Sequence, residues 1–513
     1  MNLSSRIVTN VFLALFICLA GLTPGQAKVL VNPDSPLFKQ EKPKFILIVI
    51  DHVTWEDYLD VDAPTLQFIT QEGALGLVVA RTAGSRSRGG YLTIGAGTRL
   101  RADAALDNIY EPEGFAFGPM ERTRLGRADR AYTWLTGKAP GSAEVIHLGL
   151  PSLLQDNRGL NYPALPGQLG EVLRSNDIRV ACLGNADSPG KPYRPIAALA
   201  MDAQGQVALG EVGPDLLEQD AGGLYRTSVM FLQDAFDRVL PQADFIAIDF
   251  GDTSRLAHSG SLMAEEAARL RRREALRRAD FFLSHVLEKM QDKTWRLLIV
   301  SPHLLREPGR TDSRFSPIIM FGSSVAPGLL TSASTRTPAV VVNTDIAPTI
   351  LGFFHLPPGS QMLGRPITST SAPAEPVLLW LKAEESRYEA VEAQRAILIR
   401  PAIIVMVVIF AACGIAVLLG KRVSLRLKRW LGYLCLGILT WPIMMVFLGS
   451  WMPSDPAASW AVVLLGCLVL TFVTVKSSLG KVLPFFLPAG LTFILLSFSL
   501  FEPGNPVLRF SPL

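Results

Sequence analysis

Short apolar runs alternate with polar, helix-forming stretches between residues 42 and 368. Continuous apolar runs of this length predict strands of a parallel sheet that is covered on both faces. Six such runs are FILIVI (45–50), LGLVVA (75–80), RVACLG (179–184), FIAIDF (245–250), RLLIVS (296–301) and SPIIMFG (316–322). The spacing of apolar residues in APTLQFITQEG and in residues 264–291 predicts amphipathic helices. Together they predict an α/β fold, a three-layer sandwich around a mostly parallel sheet.

The first residues have the layout of a secretory signal. Arg6 gives a positive start, residues 11–22 are an apolar core, and Gly25, Gln26 and Ala27 offer small residues for cleavage. The apolar core is short for a membrane span, which needs about 20 residues. Residues 1–27 are therefore predicted to be a signal peptide, with an uncleaved N-terminal anchor as the alternative.

The C-terminal part is predicted to form a bundle of four transmembrane helices. The loop 421–429 carries five Lys or Arg, whereas 451–459 carries none, and basic loops stay in the cytoplasm. The first span therefore runs from outside to inside, and the preceding domain lies outside, as the signal also predicts. The four segments, near 401–420, 430–450, 459–475 and 482–501, contain no charged residue.

The predicted organisation is an exported domain (28–370), a linker and helix (371–400), the spans (401–501) and an extracytoplasmic tail (502–513). The predicted location is the bacterial cytoplasmic (inner) membrane, multi-pass, with residues 28–395 outside. Cys182 is the one cysteine of the exported domain, so no disulfide can form within it. The net charge of +4 is modest, and no nucleic-acid partner is expected.

Polar residues follow three of the predicted strands. Asp51 comes directly after the first, Asp252 and His258 follow the fourth, and His303 follows the fifth. Carboxylates and imidazoles at strand ends are natural metal ligands. The alternatives are a helix cap for Asp51, a cap or turn for Asp252, and a packed or surface residue for His303.

A polar, glycine-rich stretch, 81–101, holds a candidate nucleophile. Ser87, with Ser85 in reserve, stands among several arginines. Guanidinium and backbone N–H groups stabilise an anionic centre, so Arg86, Arg88 and Arg99 are candidate anion-binding residues. The alternative is a surface loop with solvated arginines.

Taken together, these motifs resemble the alkaline phosphatase superfamily, which includes sulfatases, phosphodiesterases and envelope phosphoethanolamine transferases. The resemblance rests on ILIVIDHVTWEDYLDVDAPTLQFITQEGA, the Ser87 loop before YLTIGAG, GDTSRLAH, IVSPH and above all NTDIAPTIL (343–351). It covers residues 42–368. More narrowly, the chain looks like bacterial membrane proteins in which such an exported domain is followed by several spans.

The resemblance implies Asp51 as the first metal ligand, Ser87 as the nucleophile, and Asp252, His258 and His303 near later metal motifs. The sequence departs from the family here. Asp252 and His258 are six residues apart, where the family has four; Pro302 stands where an acid is expected; and REPGRTDSRF lacks the last histidine. The site is therefore expected to hold one divalent metal, Zn or Mn, or none, and the loop arginines could replace part of its charge.

Two functions follow from these patterns. The first is a membrane-anchored phosphate-ester hydrolase or phosphotransferase that uses Ser87 on a lipid-linked or other envelope substrate, with membrane lipids as partners. The second is a catalytically degenerate pseudoenzyme that binds an envelope ligand or partner protein. The incomplete ligand set favours the second, and the retained Asp51 and Ser87 favour the first.

The topology can be tested with reporter fusions. A periplasmic phosphatase reporter joined after residue 395 should be active, because that point is predicted to lie outside. A fluorescent protein that folds only in the cytoplasm should fluoresce when it is joined within 421–429. The opposite result at both points would overturn the orientation.

Overall fold

The computed structural model describes residues 42–84, 89–102, 109–113, 115–117, 124–220, 222–259, 263–291, 294–305, 315–372, 376–450 and 456–476. The strands are β1 (Lys44–Val49), β2 (Ala74–Val79), β3 (Ile109–Tyr110), β4 (Phe115–Phe117), β5 (Arg124–Arg127), β6 (Val145–His147), β7 (Val180–Asn185), β8 (Gln206–Val207), β9 (Leu209–Glu211), β10 (Leu217–Gln219), β11 (Tyr225–Thr227), β12 (Phe245–Phe250), β13 (Trp295–Val300), β14 (Phe315–Gly322), β15 (Gly328–Ser332), β16 (Val340–Val342) and β17 (Ile367–Ser371).

The helices of the described residues fall into eleven within the α/β domain and three at the C-terminal side. They are α1 (Trp55–Leu59), α2 (Pro64–Glu72), α3 (Gly90–Ala96), α4 (Ala128–Thr136), α5 (Leu150–Asn157), α6 (Gln168–Ser175), α7 (Pro195–Ala200), α8 (Val229–Val239), α9 (Asp252–Ser259), α10 (Glu265–Met290), α11 (Ile346–Phe353), α12 (Val377–Leu418), α13 (Leu425–Ser450) and α14 (Pro456–Lys476).

Ten strands form the central sheet, in the order β17-β15-β2-β14-β13-β1-β12-β7-β9, with β16 also pairing with β2. All six strands predicted from the sequence lie in it. β1, β12, β13, β7 and β9 run parallel, which confirms the α/β fold with a mostly parallel sheet. β14 is an exception, because it runs antiparallel to both of its neighbours.

Both faces of the sheet are covered, which explains why its strands are apolar throughout. Along β1, Phe45, Leu47 and Val49 belong to the core on one face, and Ile46 and Ile48 belong to the core on the other. Successive side chains of a strand point to opposite faces, so a strand between two helical layers must be apolar at every position.

One helix links the domain to the apolar C-terminal part. α12 packs its first turns on the domain core through Leu381 and continues without a break into an apolar segment. Among the described residues, two helical segments are long and apolar enough to cross a membrane, Ile399–Leu418 and Ala457–Lys476. They match the first and third predicted spans. The second predicted span lies within α13, and the fourth lies outside the described residues, so the number of spans stays a prediction.

Gly184 allows β7 to approach β12. It pairs with Asp249 and has φ +89°, and a Cβ at this position would stand 2.1 Å from the Asp249 carbonyl oxygen. Gly137 also has positive φ (+72°), but a Cβ there meets nothing within 4 Å.

We expect Gly137→Ala to lower the free energy of unfolding by about 1 kcal/mol, because only backbone strain opposes the new side chain. Gly184→Ala should cost about 1–3 kcal/mol more, because strands must also move apart. Thermal unfolding of the purified full-length variants compares them. Equal decreases in unfolding temperature for the two variants would show that the close approach of β7 to β12 does not contribute to stability.

Candidate metal centre

The candidate centre lies where three neighbouring strands end. Val49 at the end of β1 pairs with Asp249 of β12 on one side and with Val300 of β13 on the other. The parallel register brings the segments that follow these strands to one edge of the sheet. Such an edge is where ligands bind in α/β sheets. It brings Asp51 and His303 together, as the sequence predicts.

Asp51 is the anchor of this edge. It is fully buried, and its Oδ1 accepts hydrogen bonds from the amides of His52 (2.9 Å) and His303 (2.8 Å) and from the Ser301 hydroxyl (3.1 Å). Its Oδ2 lies 2.6 Å from His303 Nδ1. Burial alone would raise the pKa of Asp51, but His303, His52 and these hydrogen bonds hold the pKa well below its usual range. Asp51 is therefore a buried carboxylate anion.

The contacts of His303 define its tautomer. Nδ1 donates to Asp51, and Nε2 accepts a hydrogen bond from the Gly90 amide at 3.2 Å. A neutral ring with its proton on Nδ1 satisfies both contacts. The close approach explains the glycine, because a Cβ at position 90 would stand 2.8 Å from His303 Nε2.

His52 faces Asp51 with a free lone pair. Its backbone is left-handed (φ 55°), and its Nδ1 lies 3.2 Å from the Leu304 carbonyl oxygen, to which it donates. Burial lowers the pKa of His52 despite the Asp51 charge, so the ring is neutral and its Nε2 is an acceptor. This Nε2 lies 3.8 Å from Asp51 Oδ2. Two acceptors that face each other across this gap favour a cation between them.

Asp51, His52 and His303 each offer a ligand atom, and these atoms lie within 4.8 Å of one another. One carboxylate and two imidazoles suit Zn²⁺ and similar divalent ions. Asp51 and His52 fit a cation as they stand. His303 fits only if the ion replaces its Nδ1 proton, and the proton then needed on Nε2 would oppose the Gly90 N–H.

His258 stands next to this group. Its ring centroid is 6.0 Å from that of His52 and 5.3 Å from that of Tyr193. Its Nδ1 donates to the Ser254 carbonyl oxygen at 2.7 Å, so Nε2 is the nitrogen without a proton in the neutral ring. A backbone carbonyl on one ring nitrogen is a common arrangement of metal-binding histidines. His258 therefore lies beside the cluster of Asp51, His52 and His303, and its role as a metal ligand stays a prediction.

Asp252 is held elsewhere. Its Oδ1 accepts from the Thr227 amide (2.7 Å) and from an Arg255 Nη2 (2.5 Å), and its Oδ2 lies 3.5 Å from Arg278 Nε. Asp252 contacts these partners on a different face of α9 from the face that carries His258. Among the described contacts, none joins Asp252 to Asp51, His52 or His303, and its role as a metal ligand stays a prediction.

The described residues do not include the predicted nucleophile Ser87, its reserve Ser85, or the predicted anion-binding residues Arg86 and Arg88. Arg99 is half-buried, three residues beyond the end of α3, whereas Gly90 at the start of α3 contacts His303. The helix separates Arg99 from this contact by roughly 9 Å along its axis. The anion-binding roles stay predictions.

Sequence reasoning did not assign roles to His52 or Asp249. The signal for His52 was its position directly after Asp51 at the strand end. Asp249 is fully buried; Tyr91 donates to its Oδ1 at 3.3 Å, and its Oδ2 has no hydrogen-bond partner among the described residues. Burial and then the Asp51 charge raise the pKa of Asp249 to about 8. Asp249 is therefore mostly protonated at neutral pH.

Asp345 of the NTDIAPTIL motif has a structural role. Asp345 of NTDIAPTIL is fully buried, and its carboxylate accepts hydrogen bonds from the hydroxyls of Ser332 and Ser334 and from the amides of Val342 and Arg365. These four donors come from three separate segments of the chain, at 332–334, 342 and 365. The carboxylate therefore ties these segments together and is not free to bind a ligand.

Comparison of the structure with solved structures finds similarities at low sequence identity. A protein of the alkaline phosphatase superfamily from Vibrio parahaemolyticus is 12% identical, with a TM-score of 0.36 over 64% of this chain and 70% of that one. The lipoteichoic acid synthase LtaP from Listeria monocytogenes is 12% identical, with a TM-score of 0.36 over 63% and 75%. Murine ectonucleotide pyrophosphatase/phosphodiesterase 5 is 8% identical, with a TM-score of 0.37 over 62% and 98%.

The chain is similar to these proteins at low identity, and its resemblance to the alkaline phosphatase superfamily rests on its own motifs. No protein-family model matches the chain, and no curated protein matches it.

Asp249 should make stability depend on pH. The pKa of Asp249 is higher in the folded than in the unfolded protein, so its ionisation destabilises the fold. This loss of stability is absent below about pH 4 and grows as the pH rises to about 8, by at most about 1.4 kcal/mol per pH unit. Between about pH 5 and 8, in the presence of a chelator, the unfolding temperature of Asp249→Asn should therefore fall less with pH than that of the parent.

Asp234→Asn, at an exposed position of α8, is the matched control and should follow the parent. If Asp249→Asn also followed the parent, Asp249 would be ionised in the folded protein.

Proposed function

We propose that the protein is a membrane-anchored, metal-dependent phosphate-ester hydrolase or phosphotransferase. The observation that carries the proposal is the convergence of Asp51, His52 and His303 at one edge of the sheet, with ligand atoms within 4.8 Å of one another. Asp51 and His52 would hold the ion, Zn or Mn, with His258 or His303 as a further ligand. Such an ion supplies Lewis-acid polarisation of a phosphoryl oxygen.

The remaining chemistry falls to residues of this chain. In the proposed reaction, the Ser87 hydroxyl oxygen attacks phosphorus and the ester oxygen leaves as an alcohol, which gives a phosphoserine. Water or an acceptor alcohol then attacks that phosphorus, the bond to the serine oxygen breaks, and the serine hydroxyl is restored. The serine proton needs an acceptor. Where His258 is the further ligand, His303 keeps an unprotonated Nε2, which accepts from the amide of Gly90, three residues along the chain from Ser87, so His303 is the candidate base.

Substrates at the membrane surface are favoured by the course of α12. Tyr388 of α12 contacts Phe315 at the start of β14 (ring centroids 5.2 Å apart), and β14 pairs with β13, the strand that precedes His303. The apolar segment begins eleven residues later, at Ile399, which is roughly 16 Å along a helix. The site edge would therefore lie near the bilayer. This supports a lipid-linked phosphate ester as substrate, with residues 28–395 outside the cytoplasmic membrane.

A pseudoenzyme that binds an envelope ligand is the second candidate. The observation that favours it is the engagement of Asp252 with Arg255 and Thr227, together with Pro302 at the position where the family has an acid. A centre with few ligands would bind a metal weakly or not at all. Metal content separates the two candidates.

The proposed nucleophile can be tested by activity. Full-length protein with Zn²⁺ or Mn²⁺ should hydrolyse generic phosphate mono- or diesters, and Ser87→Ala should lower turnover at least a hundredfold, because the covalent step is lost. Ser85→Ala is the matched control and should keep most of the activity. Unchanged turnover in Ser87→Ala would remove Ser87 from the mechanism.

The proposed ligands can be tested by elemental analysis of purified protein. The parent and Ser87→Ala should each carry close to one Zn or Mn per chain. Asp51→Asn and His52→Ala should lose it, because each removes a ligand. Metal-free parent protein that also fails to take up added Zn²⁺ or Mn²⁺ would support the pseudoenzyme.

A further inference from the structure

A cavity lined by charged and apolar side chains lies on the other side of α9 from the candidate metal centre. Its volume is about 90 Å³, several times the roughly 10–15 Å³ that one water molecule needs. Four guanidinium groups line it together with three carboxylates. The arginines are Arg226, Arg255, Arg271 and Arg278.

The helix α9 contributes to both sites with different faces. Asp252, Arg255 and Ser259, spaced three and four residues apart, line the cavity. Ser254 and His258, also four residues apart, lie toward the candidate centre, where His258 contacts His52. The cavity is therefore a separate site that shares one wall with the centre.

Arg255 carries a buried donor that no described residue satisfies. Its side chain is 6% exposed; Nη1 donates to the Asn185 carbonyl oxygen (2.8 Å), and Nη2 donates to Thr227 Oγ1 (2.6 Å) and Asp252 Oδ1 (2.5 Å). Its Nε has no hydrogen-bond partner among the described residues. A buried N–H left without an acceptor costs about 1–3 kcal/mol.

Two further arginines of the cavity share this feature. The Nε atoms of Arg226 and Arg278 are buried and make no hydrogen bond in the described part of the chain. Glu218 Oε1 lies 2.8 Å from Arg226 Nε, and Asp252 Oδ2 lies 3.5 Å from Arg278 Nε. These carboxylates provide charge, but their angles do not meet hydrogen-bond geometry. Three unsatisfied donors around one small cavity require acceptors.

We infer that this cavity binds a small oxyanion of the phosphate or carboxylate class. Such a group accepts several N–H bonds at once, and guanidinium groups match its geometry. Leu224, Leu256 and Met263 also line the cavity, so the oxyanion would be attached to a compact apolar group. This inference does not depend on the proposed phosphate-ester chemistry.

The probes are inorganic phosphate and butyrate, and the measurement is calorimetric titration of full-length protein in detergent, with chloride at equal ionic strength as the salt control. We expect at least one probe to bind. Tighter binding of phosphate would assign a phosphate group, and tighter binding of butyrate a carboxylate on an apolar chain. No binding of either probe would overturn the inference.

Variants locate the site. Ala275 lines the cavity from α10, and Ala275→Leu would fill it, whereas Ala267 is exposed on the same helix. Ala275→Leu should abolish binding, and Ala267→Leu should preserve it. Equal binding in both variants would overturn the inference.

A second pair of variants does not depend on how well the core tolerates leucine. Arg226 is only partly buried, and Arg226→Gln should weaken binding about tenfold, as expected for one charge-assisted hydrogen bond. Arg269→Gln, at an exposed ion pair on α10, should leave binding unchanged. Asp51→Asn should also leave it unchanged. Loss of binding in Asp51→Asn would place the anion at the metal centre instead, and would overturn the inference.

Discussion

The buried charge of Asp51 is the constraint on which this edge of the sheet depends. Removing a carboxylate anion from water costs several kcal/mol unless hydrogen bonds replace the lost water. Here the amides of His52 and His303, the Ser301 hydroxyl and the His303 imidazole replace it. His303 in turn accepts from Gly90, so this charge also sets the start of α3. The segments after β1 and β13 have little freedom to move while Asp51 remains ionised.

Asp249 is a second buried carboxyl group near Asp51, and its pKa is shifted in the opposite direction. Asp249 is as deeply buried as Asp51, but it has one hydrogen bond from Tyr91 and none at Oδ2 from the described residues. Two like charges in one apolar region cannot both be stable, so the better-solvated carboxylate keeps its charge and the other keeps its proton. The edge therefore presents the Asp51 carboxylate beside a neutral His52, which is a favourable setting for one divalent cation.

The helix α9 shows how the same fold builds two polar environments. One face carries His258 toward His52, and another engages Arg255 and Asp252 in a network of guanidinium and carboxylate groups. Arginines of α10 also join this network: Arg271 pairs with Asp220, and Arg278 pairs with Glu218. The arginines of this helix are thus largely ion-paired. An anion bound in the cavity would stabilise the helix that carries His258.

The sequence by itself determined the α/β class, all six main strands and the long helix 264–291, because apolar periodicity reflects burial directly. It also indicated Asp51 and His303, since strand ends meet at one edge. Only the tertiary structure decided that β14 runs antiparallel, that His52 turns its Nε2 toward Asp51, and that Asp252 pairs with Arg255 instead. Strand direction, rotamers and proton positions depend on neighbours distant in the chain, and local sequence patterns carry no information about them.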